Sequence, residues 1–140
     1  EAEPAYEARL RRLAEASGLG GAVRFVGRIP SAEVARWLQA ADVFALATSR
    51  EGCCNAILEA LAAGRPVVTT PAGDNAHFVR DGVNGYVVPI DDAEATAAAL
   101  ERAMSRKDWD AEAIAAGLEV GGWDDVARDV LGFFRERGAA

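Results

Sequence analysis

The residues most able to do chemistry are Glu51 and Glu59, two carboxylates set in different local sequence. Glu51 stands in a run of small and polar residues, Ser49-Arg50-Glu51-Gly52-Cys53-Cys54, whereas Glu59 falls within Asn55 to Ala63, where Ile57, Leu58, Leu61 and Ala62 recur at helical spacing. Gly64 can supply a left-handed C-terminal cap, and Pro66 prevents the helix from continuing. Phe44 to Thr48, just before, is a short apolar run of strand character. The segment therefore reads strand, loop, helix, strand. In an open parallel sheet, ligands bind at the carboxyl ends of strands, where helices begin. The unpaired N–H groups of Gly52, Cys53 and Cys54 would point into that crevice and, with the helix dipole, favour an anion such as a diphosphate. Glu59 would lie roughly 9 Å farther along the helix, at about 1.5 Å per residue. Carboxylates only accept hydrogen bonds, so one on each side of an anion site suits a ligand with hydroxyls at both ends. A nucleotide sugar has that layout.

The flanking sequence supplies elements to hold this segment. Ala5 to Ser17 places Leu10, Leu13 and Ala14 on one helical face and stops at Gly18. Val23-Arg24-Phe25-Val26 alternates like a strand and ends at Gly27-Arg28-Ile29-Pro30. Ser31 can cap a helix to about Ala40, with Val34, Trp37, Leu38 and Ala41 on its buried stripe. Val43 to Ala47 and Pro66 to Thr70 read as the second and third strands. The loop Pro71 to Asn75 leads into a short helix from about Ala76 to Arg80, and the turn-rich Asp81 to Gly85 precedes a fourth strand, Tyr86 to Val88. Asp91 or Asp92 starts an alanine-rich helix to about Met104, and a shorter helix follows near Asp108 to Ala116. After the break at Gly121-Gly122, Trp123, Val126, Val130 and Phe134 form the stripe of a last helix. Strands separated by helices of this length imply right-handed crossovers and a parallel sheet. The fold class is α/β, a Rossmann-like parallel sheet with helices on both faces. The expected organisation is a partial Rossmann-like nucleotide-sugar-binding domain over residues 1–121 and a C-terminal helix over 122–140.

Composition bounds the partners. A chain of 140 residues with 51% hydrophobic content can build one domain with a core. A net charge of −7 argues against nucleic acid or an anionic membrane as the main partner. No apolar run has the length of a transmembrane helix and no signal sequence opens the chain, so a cytoplasmic location is expected. Cys53 and Cys54 are adjacent, which strains a mutual disulfide and gives no metal-ligand spacing. They are expected to be reduced.

With these residues in place, the chain closely resembles a known family. Glu51-x7-Glu59, then Ala60-x3-Gly64-x-Pro66-Val67-Val68, Gly73, Gly82-x-x-Gly85 and Pro89 resemble the C-terminal, donor-binding domain of retaining GT-B glycosyltransferases of the GT4 type. Val23 to Gly27, Ala41-Asp42-Val43 and Trp123 extend the match over nearly the whole chain. The resemblance implies that Glu51 contacts hydroxyls of the donor sugar, the catalytic position of the set, and that Gly52, Cys53, Cys54 and Asn55 present backbone amides to sugar and diphosphate. It implies that Glu59 holds the ribose, that Gly27, Arg28 and Ile29 line the base, and that Gly73 belongs to a further donor loop. The implied reaction transfers a sugar from a nucleoside diphosphate to an acceptor with retention, and the family generally needs no bound metal because helix dipole and basic groups neutralise the leaving diphosphate.

Departures from the pattern shape the expectation. The family's Gly-Arg and Lys-Gly segment, whose cations clamp the diphosphate, does not precede Glu1. The sequence reads as beginning after the first strand, helix and second strand of the domain, with the acceptor-binding N-terminal domain missing. The polypeptide alone is therefore expected to be inactive, and its shortened sheet edge to invite self-association. His77 stands where the family often carries an acid. It reads as a helix-start residue rather than a base, since no Ser, Cys or Asp partner is identifiable.

Blander readings stand beside these. Glu51 and Glu59 can be solvated surface residues, Arg28 and Arg50 ordinary surface charges, and Trp37, Trp123 and Phe133-Phe134 plain packing residues, one of the aromatics being left exposed. The alternative function is a non-catalytic α/β binding or scaffold module of the same fold. A GT-B epimerase does not account for the glutamate pair, and a phosphate-receiver domain lacks its acidic cluster and lysine.

Overall fold

The computed structural model describes residues 4–118 and 121–138. It divides into two units, Glu1–Ala35 and Arg36–Ala140.

In the first unit, α1 (Pro4–Ala16) carries Leu10, Leu13 and Ala14 along one face as the spacing requires, yet none of its residues is buried and Leu13 is 62% exposed. These side chains, with Leu19, Val23 and Phe25, line an open apolar groove. Glu7 pairs with Arg11 one turn on, and the Arg11 guanidinium lies 4.4 Å from the centre of the Phe25 ring. The strand expected at Val23 to Val26 is not formed. Alternation is only half of what a strand needs. It must also pair with a neighbour, and this unit has no strand among the described residues to offer one. The helix α2 (Ser31–Ala40) runs across the division between the units. Of its expected stripe only Leu38 is buried, while Trp37 is 42% exposed.

The second unit is built on a parallel sheet in the order β1-β2-β3, from β1 (Phe44–Leu46), β2 (Val67–Thr69) and β3 (Gly85–Val87). The expected strands are shortened at their ends, and the last is displaced by one residue: Val88 lies beyond β3 but still donates its amide to the Thr69 carbonyl at 2.8 Å. Pairing sets Val68 beside Tyr86, and both meet Val88, Ala99 and Ala103 in one core cluster. The two alanines come from α5 (Ala93–Ser105), whose small side chains let the helix lie close on the sheet. Asp92 starts α5 by accepting from the Ala95 amide at 2.8 Å. The opposite face is covered by α3 (Asn55–Ala62), which buries Ile57, Ala60 and Leu61 and packs on β1, β2, α4 (Asn75–Phe78) and α6 (Ala111–Ala116). Ala62, expected on that stripe, is exposed, and Ala60 takes its place. The terminal helix α7 (Trp123–Gly138) is amphipathic but leaves Val126, Val130, Phe133 and Phe134 about half exposed or more, at 45%, 49%, 50% and 66%. The Trp123 side chain lies outside the described residues.

Candidate functional site

Two loops meet at the carboxyl ends of β1 and β2. The first, between β1 and α3, carries Glu51 to Cys54; the second, between β2 and α4, carries Gly73. Thr48 shapes the first loop locally: its hydroxyl donates to the Arg50 carbonyl at 3.0 Å and accepts from the Arg50 amide at 3.3 Å. The second loop closes on it. Asp74 donates its amide to the Gly52 carbonyl at 3.0 Å, and Gly73, at φ +54, sits so near the Glu51–Gly52 backbone that a Cβ would strike the Gly52 oxygen and come within 2.5 Å of that of Glu51. Only glycine fits that approach.

The N-terminus of α3 opens at this junction. Cys54 is its cap in extended conformation and makes no side-chain capping bond, while its carbonyl accepts from Ile57 and Leu58 at 3.1 and 3.5 Å. The amides of Gly52, Cys53, Cys54, Asn55 and Ala56 have no protein acceptor among the described residues. Gly52, Cys53 and Asn55 are exposed, Cys54 is half-buried, and both thiols are free. The other end of α3 is fixed. Gly64 at φ +72 lies against Ala111 of α6, and the Arg65 guanidinium donates to the carbonyls of Ala63 and Ala41 at 3.1 and 3.2 Å. The start of α3 and the loop before it thus present five amides without a protein acceptor among the described residues, beside the positive end of the helix dipole, an arrangement that attracts anions.

The two glutamates flank these amides. Both are exposed, and neither forms an ion pair among the described residues. Glu51 belongs to the loop, and Glu59 lies on the side of α3 turned away from Ile57 and Leu61, given about 100° of rotation per residue. The structure thus brings Glu51, Gly52, Cys53, Cys54, Asn55 and Gly73 to one junction and puts Glu59 on the helix that starts there. Gly27, Arg28 and Ile29 belong to the first unit, in a non-helical run before Pro30 where Gly27 takes φ +71 and Arg28 is exposed. His77 is exposed and packs edge-on against Phe78, with ring centres 5.1 Å apart. No group of three His, Cys, Asp or Glu among the described residues could hold a metal ion, and none of their helices is long and apolar enough to cross a membrane.

Sequence reasoning missed Thr48, Thr70 and Asn75, which shape the junction through hydrogen bonds. A faint signal existed, since Thr48 and Thr70 end neighbouring apolar strands with hydroxyls. Nothing in the pattern marked Asn75 as buried.

The family model for glycosyl transferases group 1 matches residues 2–106. The lipopolysaccharide core biosynthesis glycosyltransferase LpsE of Rhizobium meliloti (strain 1021) is 42% identical over 96 residues, which are 69% of this chain and 28% of that protein. The sucrose-phosphate synthase of Thermosynechococcus elongatus superposes over 96% of this chain and 35% of its own, with TM-score 0.78 and 27% identity. Anabaena Alr3699/HepE, solved in complex with UDP, matches 79% of this chain and 30% of its own, with TM-score 0.71 and 26% identity.

Proposed function

Because the chain belongs to the glycosyl transferases group 1 family, we propose that it supplies the donor-binding part of a retaining glycosyltransferase, holding a nucleoside diphosphate sugar at the start of α3. The observation that carries this reading is the row of amides from Gly52 to Ala56 with no protein acceptor among the described residues, set between two exposed carboxylates. The diphosphate takes the amides and the positive end of the helix dipole, Glu59 accepts from the ribose hydroxyls, and Glu51 accepts from hydroxyls of the transferred sugar. As the glycosidic bond breaks, negative charge grows on the leaving diphosphate, and donors already aimed there lower the barrier without reorganising. In this reading amides and dipole meet that charge in place of a metal ion. The UDP complex of Anabaena HepE supports a nucleotide ligand for this fold.

The chain spans 28% of the length of LpsE.

Separate substitutions test the two carboxylate roles. Glu59→Ala should weaken binding of bare nucleotide and nucleotide sugar alike, by about tenfold, the equivalent of about 1.4 kcal/mol. Glu51→Ala should leave bare nucleotide unchanged and remove the preference for the sugar-bearing form. Parent-like binding by both variants would overturn the assignment.

A further inference from the structure

Asn75 is fully buried, and its side chain has no part in the ligand contacts above. Its Nδ2 donates to the Thr69 hydroxyl and to the Thr70 carbonyl, each at 3.2 Å. Both threonines are also buried and pass the connection to β1: Thr69 Oγ1 donates to the Leu46 carbonyl at 2.9 Å, and Thr70 Oγ1 donates to the Thr48 carbonyl. Thr48 then holds Arg50 through both its amide and its carbonyl, one residue before Glu51. On the other side, Asp74, the neighbour of Asn75, donates to the Gly52 carbonyl. The loop from Thr48 to Gly52 is thus gripped at both ends by groups hung on Asn75.

This network is costly in one respect. The Asn75 Oδ1 is buried with no protein donor among the described residues, and an unmet buried acceptor costs about 1–3 kcal/mol. Packing alone would favour an apolar side chain here. A polar residue kept at such a cost, and bonded only to backbone and hydroxyls beneath a candidate ligand site, has the features of a support for that site.

We infer that Asn75 and Thr70 are positioning residues, which set the aim of the Gly52–Asn55 amides and so the affinity for the diphosphate of a nucleotide sugar. The inference rests on the donor-binding reading above. Neither residue touches the ligand; both act through the Thr48–Gly52 loop.

The test compares Thr70→Val, which loses the hydroxyl, with Thr70→Ser, which keeps it, and adds Asn75→Ala. The first measurement needs no ligand. Amide exchange at Arg50 and Asp74, both hydrogen-bonded to the loop, should speed up about tenfold in Thr70→Val and Asn75→Ala, while the Val67 amide, bonded to Asn84 in the sheet, keeps its parent rate and Thr70→Ser behaves as the parent. Faster exchange at Val67 to the same degree would mean that Thr70 and Asn75 merely hold the fold, and unchanged exchange at Arg50 and Asp74 would overturn the inference outright. The second measurement titrates the same variants with UDP-glucose and UDP. Thr70→Val should lose about tenfold in affinity for both, with Thr70→Ser restoring it. Parent-like binding by Thr70→Val would also overturn the inference. Failure of the parent to bind any nucleotide sugar would strike the donor-binding reading instead, and the exchange data would still decide whether Thr70 and Asn75 set the loop.

Discussion

Gly73 lies against Gly52, with no room for a side chain between the two loops they belong to. This contact locks the β2–α4 loop to the one that carries Glu51. Gly73→Ala would combine a φ of +54, which costs a non-glycine residue about 1–3 kcal/mol, with collision against the Gly52 and Glu51 oxygens. We expect a lowered melting temperature and loss of nucleotide-sugar binding. Unchanged binding with unchanged melting would show that the loops do not need each other.

Asn84 should matter for stability and not for ligand selectivity. It is buried at the other end of the sheet, where its Oδ1 accepts from the Arg80 amide at 2.7 Å and its Nδ2 donates to the Phe78 carbonyl at 2.9 Å. Asn84→Ala strands both groups and should cost about 2–3 kcal/mol in denaturant unfolding. The ratio of affinities for nucleotide sugar and bare nucleotide should stay as in the parent.

The Arg106–Asp108 pair gives a pH signature. The Arg106 guanidinium donates to the Asp108 carboxylate at 2.8 Å and holds the Asp108 pKa below the ordinary aspartate range. A lowered folded pKa means that the stabilisation is present at neutral pH and is lost as acid protonates Asp108 below that range. Asp108 is open to solvent and Arg106 partly so, and the effect on stability is therefore small. A site-specific NMR titration should place the Asp108 midpoint below that of an ordinary aspartate, and Arg106→Gln should raise it. An ordinary midpoint in the parent would contradict the pairing.

The parts of this molecule that were legible from sequence are those where periodicity and punctuation agree. Ile57 and Leu61 at helical spacing, stopped by Gly64 and Pro66, define α3, and Asp92 before an alanine-rich run starts α5 where a cap was expected. The parallel sheet followed from the alternation of elements. Val23 to Val26 shows the limit, since a strand depends on a neighbour that its own residues do not specify. Leu13, Val130 and Phe134 show another: an apolar stripe says which face a helix would bury, not whether anything covers it. The glutamates and glycines of the site stood out by type and spacing. The supporting Thr70 and Asn75 did not, because a polar residue after a strand reads as turn until its burial is known.

The most direct test of the donor-binding claim is calorimetric titration of the protein with UDP-, GDP-, ADP- and dTDP-sugars, each against its bare nucleotide, at low salt. The account predicts saturable binding to sugars of one base, tighter for the sugar-bearing form than for the bare nucleotide and weakened by Glu59→Ala. Absence of binding to all four classes, or equal binding regardless of base and sugar, would contradict it.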